Sequence, residues 1–135
     1  MNRHLVFVYG SLRSGNAGAM SNRFPDARFV AVARARGSLY DLGEYPGMLL
    51  NETNSLVVGE VYEVNEETLN RLDEFERSSD YVRKQVVVEA GADEMNCWIY
   101  VPSYEPDFYS NQTLIKSGDW MKHTKQKGLS TKNTK

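Results

Sequence analysis

The hydrophobic residues of this chain fall mainly into short runs separated by polar turns, a pattern typical of β-strands. Residues 5–9 (LVFVY) form an uninterrupted apolar run, which predicts a strand buried on both faces. A bend is expected at Gly37, and residues 91–93 are expected to join two strands as a hairpin. Four more predicted strand regions have the same character: residues 28–42, 56–64, 82–90 and 96–101. With two or three short helices, the pattern predicts an α+β domain in which about five to seven strands form a curved or closed sheet.

One helix is predicted directly after the strand at residues 56–64. Asn65 is a suitable N-cap, and two glutamates follow it in the first turn, where they favour the helix dipole. At about 100° per residue, Leu69, Leu72 and Glu76 fall within about 60° of one another. Glu76 therefore lies on the stripe that faces the core. A bare buried carboxylate is costly, and burial raises its pKa toward neutrality, which suits a general acid or base.

Structural roles are open for the acidic residues of this region. Glu76 can instead cap the helix end and pair with Arg77, Arg83 or solvent. Glu60, on the strand at residues 56–64, is a second carboxylate that is expected to point inward. For Glu60 we expect an ion pair with an arginine of residues 28–36.

The turn after the first strand is a second candidate site. Gly10 ends that strand and allows the backbone to bend and a ligand to approach closely. The N–H groups of Gly10, Ser11 and Leu12 can then point into a shared hollow and bind a carboxylate or an oxyanion. An ordinary strand-to-loop junction explains the same residues. The turn therefore indicates a binding site only when a second functional site is found with it.

Composition indicates a soluble globular protein and offers no metal-ligand pattern. The 135 residues are 41% hydrophobic and 25% charged, and they suffice for one domain with its own core. No apolar run approaches the roughly 20 residues of a membrane span or resembles a signal peptide, so we expect a cytoplasmic protein without membrane contact. The single Cys97 excludes an internal disulfide and a cysteine-built metal site, and His4 and His123 lack metal-ligand spacing.

Charge is distributed unevenly along the chain. Residues 1–119 contain 18 acidic and 11 basic residues, whereas residues 120–135 contain five lysines and no acidic residue. An acidic body with a short basic tail argues against a nucleic-acid partner. The sequence thus predicts a domain over residues 1–121 and a disordered tail over residues 122–135, and it does not indicate an oligomeric state.

Several short motifs together resemble one known family, the γ-glutamylcyclotransferase-like (AIG2-like or BtrG-like) proteins. The similarity is greatest to the small bacterial members and to γ-glutamylamine cyclotransferases. It covers about residues 5–121, and residues 114–120 resemble the ending of the bacterial members. The motifs follow the family's order: VYGSL at residues 8–12, GEVY at 59–62, LDEFE at 72–76 and YVR at 81–83.

The resemblance implies a mixed β-barrel with flanking helices and a cavity at one mouth. It implies that Glu76 is the catalytic residue. For Tyr81 and Tyr100 it implies places in the pocket wall, although core packing with a satisfied hydroxyl explains these two equally well. The implied substrate-binding turn consists of Tyr9, Gly10, Ser11 and Leu12.

The implied reaction is the cyclisation of a small γ-glutamyl compound. The substrate α-amine attacks its own γ-glutamyl carbonyl, and the products are 5-oxoproline and a free amine or amino acid, with no cofactor. Two alternatives are open: a non-catalytic module that binds a small metabolite in the same cavity, and a cyclotransferase whose γ-glutamyl group is attached to a larger carrier. The leaving amine is not predicted by the sequence.

Overall fold

The computed structural model describes residues 3–14 and 19–133. Eight strands and three α-helices are assigned in this part of the chain, and a 3-10 helix covers Pro106–Asn111. In chain order the strands and α-helices are β1 (Arg3–Val8), α1 (Met20–Arg23), β2 (Arg28–Arg36), β3 (Ser38–Asp41), β4 (Pro46–Leu49), β5 (Leu56–Asn65), α2 (Glu66–Arg77), β6 (Tyr81–Ala90), β7 (Asp93–Pro102), β8 (Thr113–Leu114) and α3 (Trp120–Asn133).

Five of the strands close into a barrel in the order β1-β5-β2-β6-β7. Four of the pairings are antiparallel, and the barrel is closed by the parallel pairing of β1 with β7, where Val6 lies opposite Trp98 and Phe7 opposite Ile99. The predicted mixed barrel is therefore confirmed, with five strands in it. The other three strands form a small separate sheet in the order β4-β3-β8.

Strand β1 is buried on both faces, as its sequence predicts. Phe7 points into the barrel interior with Val61 and Ile99, while Val6 and Val8 belong to a second core outside the barrel wall. Gly59 on β5 makes room for the ring of Phe7, because a Cβ at this position would lie 2.6 Å from Phe7 Cζ. The outer core is covered by α1 and α2, which brings both helices to the strand that leads into the YGSL turn.

The C-terminal basic segment differs from its prediction. Helix α3 spans Trp120–Asn133, so most of residues 122–135 is helical where the sequence predicts disorder, and the predicted boundary at residue 121 falls inside the helix. Lysine and glutamine are good helix formers, and the Asp119 carboxylate accepts a hydrogen bond from Lys122 N–H at 3.2 Å in the first turn. Trp120 is buried and anchors the helix start. None of the helices in the described residues has the length and apolarity of a membrane span.

Candidate functional site

Helix α2 carries Glu76 to the edge of the outer core. Asn65 is the N-cap as predicted, and its Oδ1 accepts a hydrogen bond from Thr68 N–H at 2.8 Å. Leu69 and Leu72 are buried beneath the helix. Glu76 follows Leu72 by four residues and lies on the same face, so the stripe that packs α2 against the barrel ends in a carboxylate.

This carboxylate lines a cavity of about 360 Å³ at the end of β1. The cavity lies between the YGSL turn, the C-terminal end of α2, the start of β6 and the turn that precedes β4. The structure brings all seven residues of the predicted site to this one cavity: Tyr9, Gly10, Ser11, Leu12, Glu76, Tyr81 and Tyr100.

Glu76 has an unusual electrostatic environment. Within the described residues, no side chain forms a hydrogen bond or an ion pair with its carboxylate, and desolvation by burial raises its pKa from 4.5 to about 7. The pairing with Arg83 that the sequence left open does not form, since Arg83 Nε lies 3.3 Å from Asp73 Oδ1 instead. At neutral pH the carboxyl group of Glu76 is thus divided between its charged and neutral forms, which suits a group that accepts and returns a proton.

The YGSL segment forms a tight turn beside this carboxyl group. Arg13 N–H donates to the Gly10 carbonyl at 3.0 Å and closes the turn around Ser11 and Leu12. In the described part of the chain, the N–H groups of these two central residues have no acceptor. Gly10 is needed here for space rather than for a positive φ, because a Cβ would lie 2.8 Å from Pro46 Cγ. The turn therefore places two N–H groups that lack an acceptor in the described residues at the cavity lining, beside a position where a Cβ would meet the Pro46 ring.

Glu60 holds the turn in place from behind, and its predicted partner was wrong. Its carboxylate accepts hydrogen bonds from Ser14 N–H at 2.9 Å, from Ser14 Oγ at 3.0 Å and from Tyr62 OH at 2.9 Å. Arg13 Nε, at 3.6 Å, is its cationic partner, not an arginine of residues 28–36. The register explains the difference, because the residue of β2 opposite Glu60 is Val32. Glu60 has the expected structural role, with a different arginine.

The three tyrosines of the predicted site shape the cavity wall, and their hydroxyl groups are satisfied by the protein. Tyr9 OH donates to the Tyr100 carbonyl at 2.7 Å, Tyr81 OH to the Pro46 carbonyl at 2.6 Å, and Tyr100 OH to Asp73 Oδ1 at 2.6 Å. Burial raises the pKa of all three hydroxyls, so they are protonated donors at neutral pH. For Tyr81 and Tyr100, the two predicted alternatives therefore hold together: each lines the cavity and each has a satisfied hydroxyl.

Sequence reasoning missed part of the lining. The turn that precedes β4 contributes Tyr45 and Pro46, whereas the aromatic loop at residues 103–109 does not line the cavity. Phe75 also lines the cavity; it is 36% exposed and packs edge-to-face on Phe24 with ring centroids 6.2 Å apart. The remaining lining residues that no sequence signal pointed to are Phe7, Val8, Arg23, Ser78 and Ser79.

Other chemistry has little support in the described residues. Within them, no group of three or more His, Cys, Asp or Glu side chains is arranged to hold a metal ion. Cys97 is buried, and burial raises the pKa of its thiol to about 11, so it is a poor nucleophile at neutral pH. The geometry therefore concentrates the candidate chemistry on Glu76 and the adjacent turn.

Fold and cavity together define a small mixed-barrel protein with an acidic group in a pocket at the strand end. The family model for gamma-glutamyl cyclotransferase, AIG2-like, matches residues 6–122. The chain belongs to this family, as its motifs predict.

Individual relatives agree with this assignment. The chain is 37% identical over 119 residues to a putative gamma-glutamylcyclotransferase of Vibrio cholerae, covering 87% of this chain and 96% of that protein. It is 50% identical over 74 residues to the gamma-L-glutamyl-butirosin B gamma-glutamyl cyclotransferase of Niallia circulans, which covers 53% of this chain and 44% of that protein. Among solved structures, an AIG2-like protein from Mus musculus superposes with a TM-score of 0.73 at 26% identity, covering 88% of this chain and 90% of that one.

Proposed function

We propose that this protein is a γ-glutamyl cyclotransferase in which Glu76 acts as general base and then as general acid. One observation carries the proposal. A half-buried carboxyl group with a pKa raised to about 7, unpaired within the described residues, shares a cavity with the acceptor-free N–H groups of Ser11 and Leu12. Family membership and the names of the relatives support the same reaction class.

The reaction requires proton transfer and positioning only. The α-amine nitrogen of the substrate attacks the γ-carbonyl carbon, a C–N bond forms to close the five-membered lactam, and the C–N bond to the leaving amine breaks. Two protons leave the attacking nitrogen, and two reach the leaving nitrogen, which departs as an ammonium ion at neutral pH. A carboxyl group that ionises near pH 7 can carry these protons in turn.

The turn supplies the complementary interaction. The N–H groups of Ser11 and Leu12 are suited to the substrate α-carboxylate or to the oxyanion that develops on the γ-carbonyl. Either contact holds the γ-glutamyl chain in its folded, reactive conformation, with the amine near the carbonyl carbon. Tyr9, Tyr81 and Tyr100 close the wall around this group, and the site needs no cofactor for the reaction.

A screen for 5-oxoproline release tests the proposal. Wild-type protein, Glu76→Gln and the matched control Glu74→Gln are incubated with a panel of γ-glutamyl amides and examined by mass spectrometry. Glu74 lies two residues away on the exposed side of α2, so its variant controls for the loss of one charge. Release by wild type and Glu74→Gln but not by Glu76→Gln is expected.

Other results of the same screen would contradict the proposal or identify a different function. Turnover by Glu76→Gln at the wild-type rate contradicts the role of Glu76. Saturable binding without product favours a non-catalytic metabolite-binding module, and release only from a carrier-attached γ-glutamyl group identifies a larger substrate. The cytoplasmic location and the absence of a nucleic-acid partner stay predictions from the sequence.

A further inference from the structure

Among the described residues that line the cavity, Arg23 is the one with a cationic side chain. It ends helix α1, and its guanidinium carbon lies 5.0 Å from the centroid of the Phe75 ring, a cation–π geometry. Phe75 in turn packs edge-to-face against Phe24, the residue after Arg23. The contacts between these three residues join the end of α1 to the end of α2 and place the guanidinium beside the segment that carries Glu76.

The guanidinium is available for an anion. Within the described residues, no carboxylate forms an ion pair with Arg23, and the side chain is exposed. A planar guanidinium with several donors matches a carboxylate in geometry and charge. Tyr45 and Phe75, both partly exposed, add aromatic surface to the same cavity.

Exposure separates the two ends of the cavity. Leu12 and Tyr9 are buried, so the turn and the wall tyrosines lie in its interior, whereas Arg23 lies toward the solvent. If the proposed function holds, the reacting γ-carbonyl must lie beside Glu76 and the turn. The leaving group then extends toward the opening, where the Arg23 guanidinium is the available countercharge.

We propose that Arg23 is a specificity-determining residue that binds a carboxylate on the leaving amine, so the preferred substrates are γ-glutamyl amino acids rather than γ-glutamyl derivatives of uncharged amines or polyamines. This inference rests on the proposed function. The competing assignment, in which Arg23 binds the α-carboxylate of the γ-glutamyl group itself, makes a different prediction, because every γ-glutamyl substrate carries that group.

The test compares two substrates that differ by one carboxylate. γ-Glutamyl-alanine and γ-glutamyl-ethylamide have the same leaving-group carbons apart from the carboxylate. Their ratio of kcat/KM is measured for wild type, Arg23→Gln, Arg23→Lys and the control Arg71→Gln. Arg71 is a matched exposed arginine that contacts the Phe24 ring, with its guanidinium carbon 5.6 Å from the centroid, but does not line the cavity. The difference in intrinsic reactivity between the two amides cancels when the ratios are compared.

Arg23→Gln should lower the ratio by about five- to tenfold by slowing only the carboxylate-bearing substrate. Arg23→Lys should keep part of the preference, and Arg71→Gln should keep all of it. An equal loss of kcat/KM for both substrates, which leaves their ratio unchanged, would overturn the proposal in favour of the competing assignment. Wild-type kcat/KM values for both substrates would overturn it outright.

Measuring the binding of the two compounds tests the role of Arg23 independently of turnover. The dissociation constants of the same two compounds are measured by calorimetry on Glu76→Gln protein, with and without Arg23→Gln. If wild type cyclises neither compound, the proposed function fails, yet a carboxylate preference in binding that depends on Arg23 still supports this inference. Equal binding of the two compounds overturns it.

Discussion

The substitution Glu76→Gln should slow turnover by orders of magnitude and, in the same protein, increase stability at high pH. Both effects have one cause, the burial of an unpaired carboxyl group at the end of α2. Burial raises the pKa of Glu76 from its ordinary 4.5 to about 7 in the folded protein. Below about pH 4 the group is neutral in both the folded and the unfolded chain and contributes no difference. As the pH rises, the unfolded chain releases the proton first, so the folded protein loses stability until the pH passes about 7.

The magnitude follows from this difference in pKa. At about 1.4 kcal/mol for each tenfold change in proton affinity, the cost above about pH 7 amounts to about 3 kcal/mol. Glutamine has the shape of glutamate and no charge, so Glu76→Gln removes the cost. We therefore expect the variant to be more stable than wild type by up to about 3 kcal/mol near pH 8, and equal to it near pH 4. Loss of general acid–base catalysis should slow turnover by about 10²- to 10⁴-fold.

Urea unfolding of both proteins at several pH values measures the first effect, and 5-oxoproline release measures the second. Glu74→Gln is the control in both assays, because Glu74 is exposed and its substitution should change neither stability nor rate appreciably. A stability difference between Glu76→Gln and wild type that does not grow between about pH 4 and pH 8 would refute the assignment of a raised pKa to burial. If Glu76→Gln loses activity while its stability depends on pH as that of wild type does, Glu76 has only a role in positioning the substrate.

Three further predictions concern the same site. Wild-type kcat/KM should rise with pH through about 7, since Glu76 must be ionised to accept a proton, and a flat profile between about pH 5 and pH 8 would contradict this. Gly10→Ala should reduce turnover at least tenfold, because its Cβ would lie 2.8 Å from the Pro46 ring. A variant with the kinetics of wild type would show that the turn accommodates a Cβ at this position. Glu60→Gln should lower the free energy of unfolding by about 2 kcal/mol. The two carboxylate oxygens accept hydrogen bonds from Ser14 and Tyr62, whereas only one of the two terminal atoms of an amide can accept. An unchanged midpoint of urea unfolding would contradict this expectation.

Local sequence patterns predicted the parts of the structure that neighbouring residues determine. The N-cap at Asn65 and the apolar stripe through Leu72 depend on spacing within one helix, so they placed Glu76 correctly on the packed face. The hairpin of β6 and β7 could be predicted equally well. Its short turn, with Gly91 at φ 64°, lies between two long runs of residues that favour β-strands. The motif order then related the YGSL turn to Glu76, although 64 residues lie between Ser11 and Glu76 in the chain.

The remaining features depend on contacts between segments that are distant in the chain. The partner of Glu60 is determined by the register of β5 against β2 and by the path of the turn over the barrel wall, and no periodicity encodes either. Arg23 follows a stretch without a strong pattern, and its place at the cavity arises from packing of Phe24 on Phe75. Helix α3 was missed because a lysine-rich composition resembles that of a disordered tail, whereas its start depends on Asp119 and on the burial of Trp120.

If the proposed function holds, the charges of the cavity favour an anionic substrate although the protein itself is acidic. A γ-glutamyl amino acid carries two carboxylates and one ammonium group, so its net charge is negative, while a γ-glutamyl derivative of an uncharged amine has no net charge. Residues 1–119 carry an excess of acidic side chains, which weakly repels the anionic compound at long range. This repulsion is screened beyond about 8 Å at physiological ionic strength, so short-range contacts decide the preference. In the proposed binding mode these contacts come from the N–H groups of Ser11 and Leu12 and from Arg23. A half-protonated Glu76 then opposes the substrate less than a fully charged carboxylate would. In the proposed reaction, the raised pKa of Glu76 therefore serves the binding of an anion as well as the transfer of its protons.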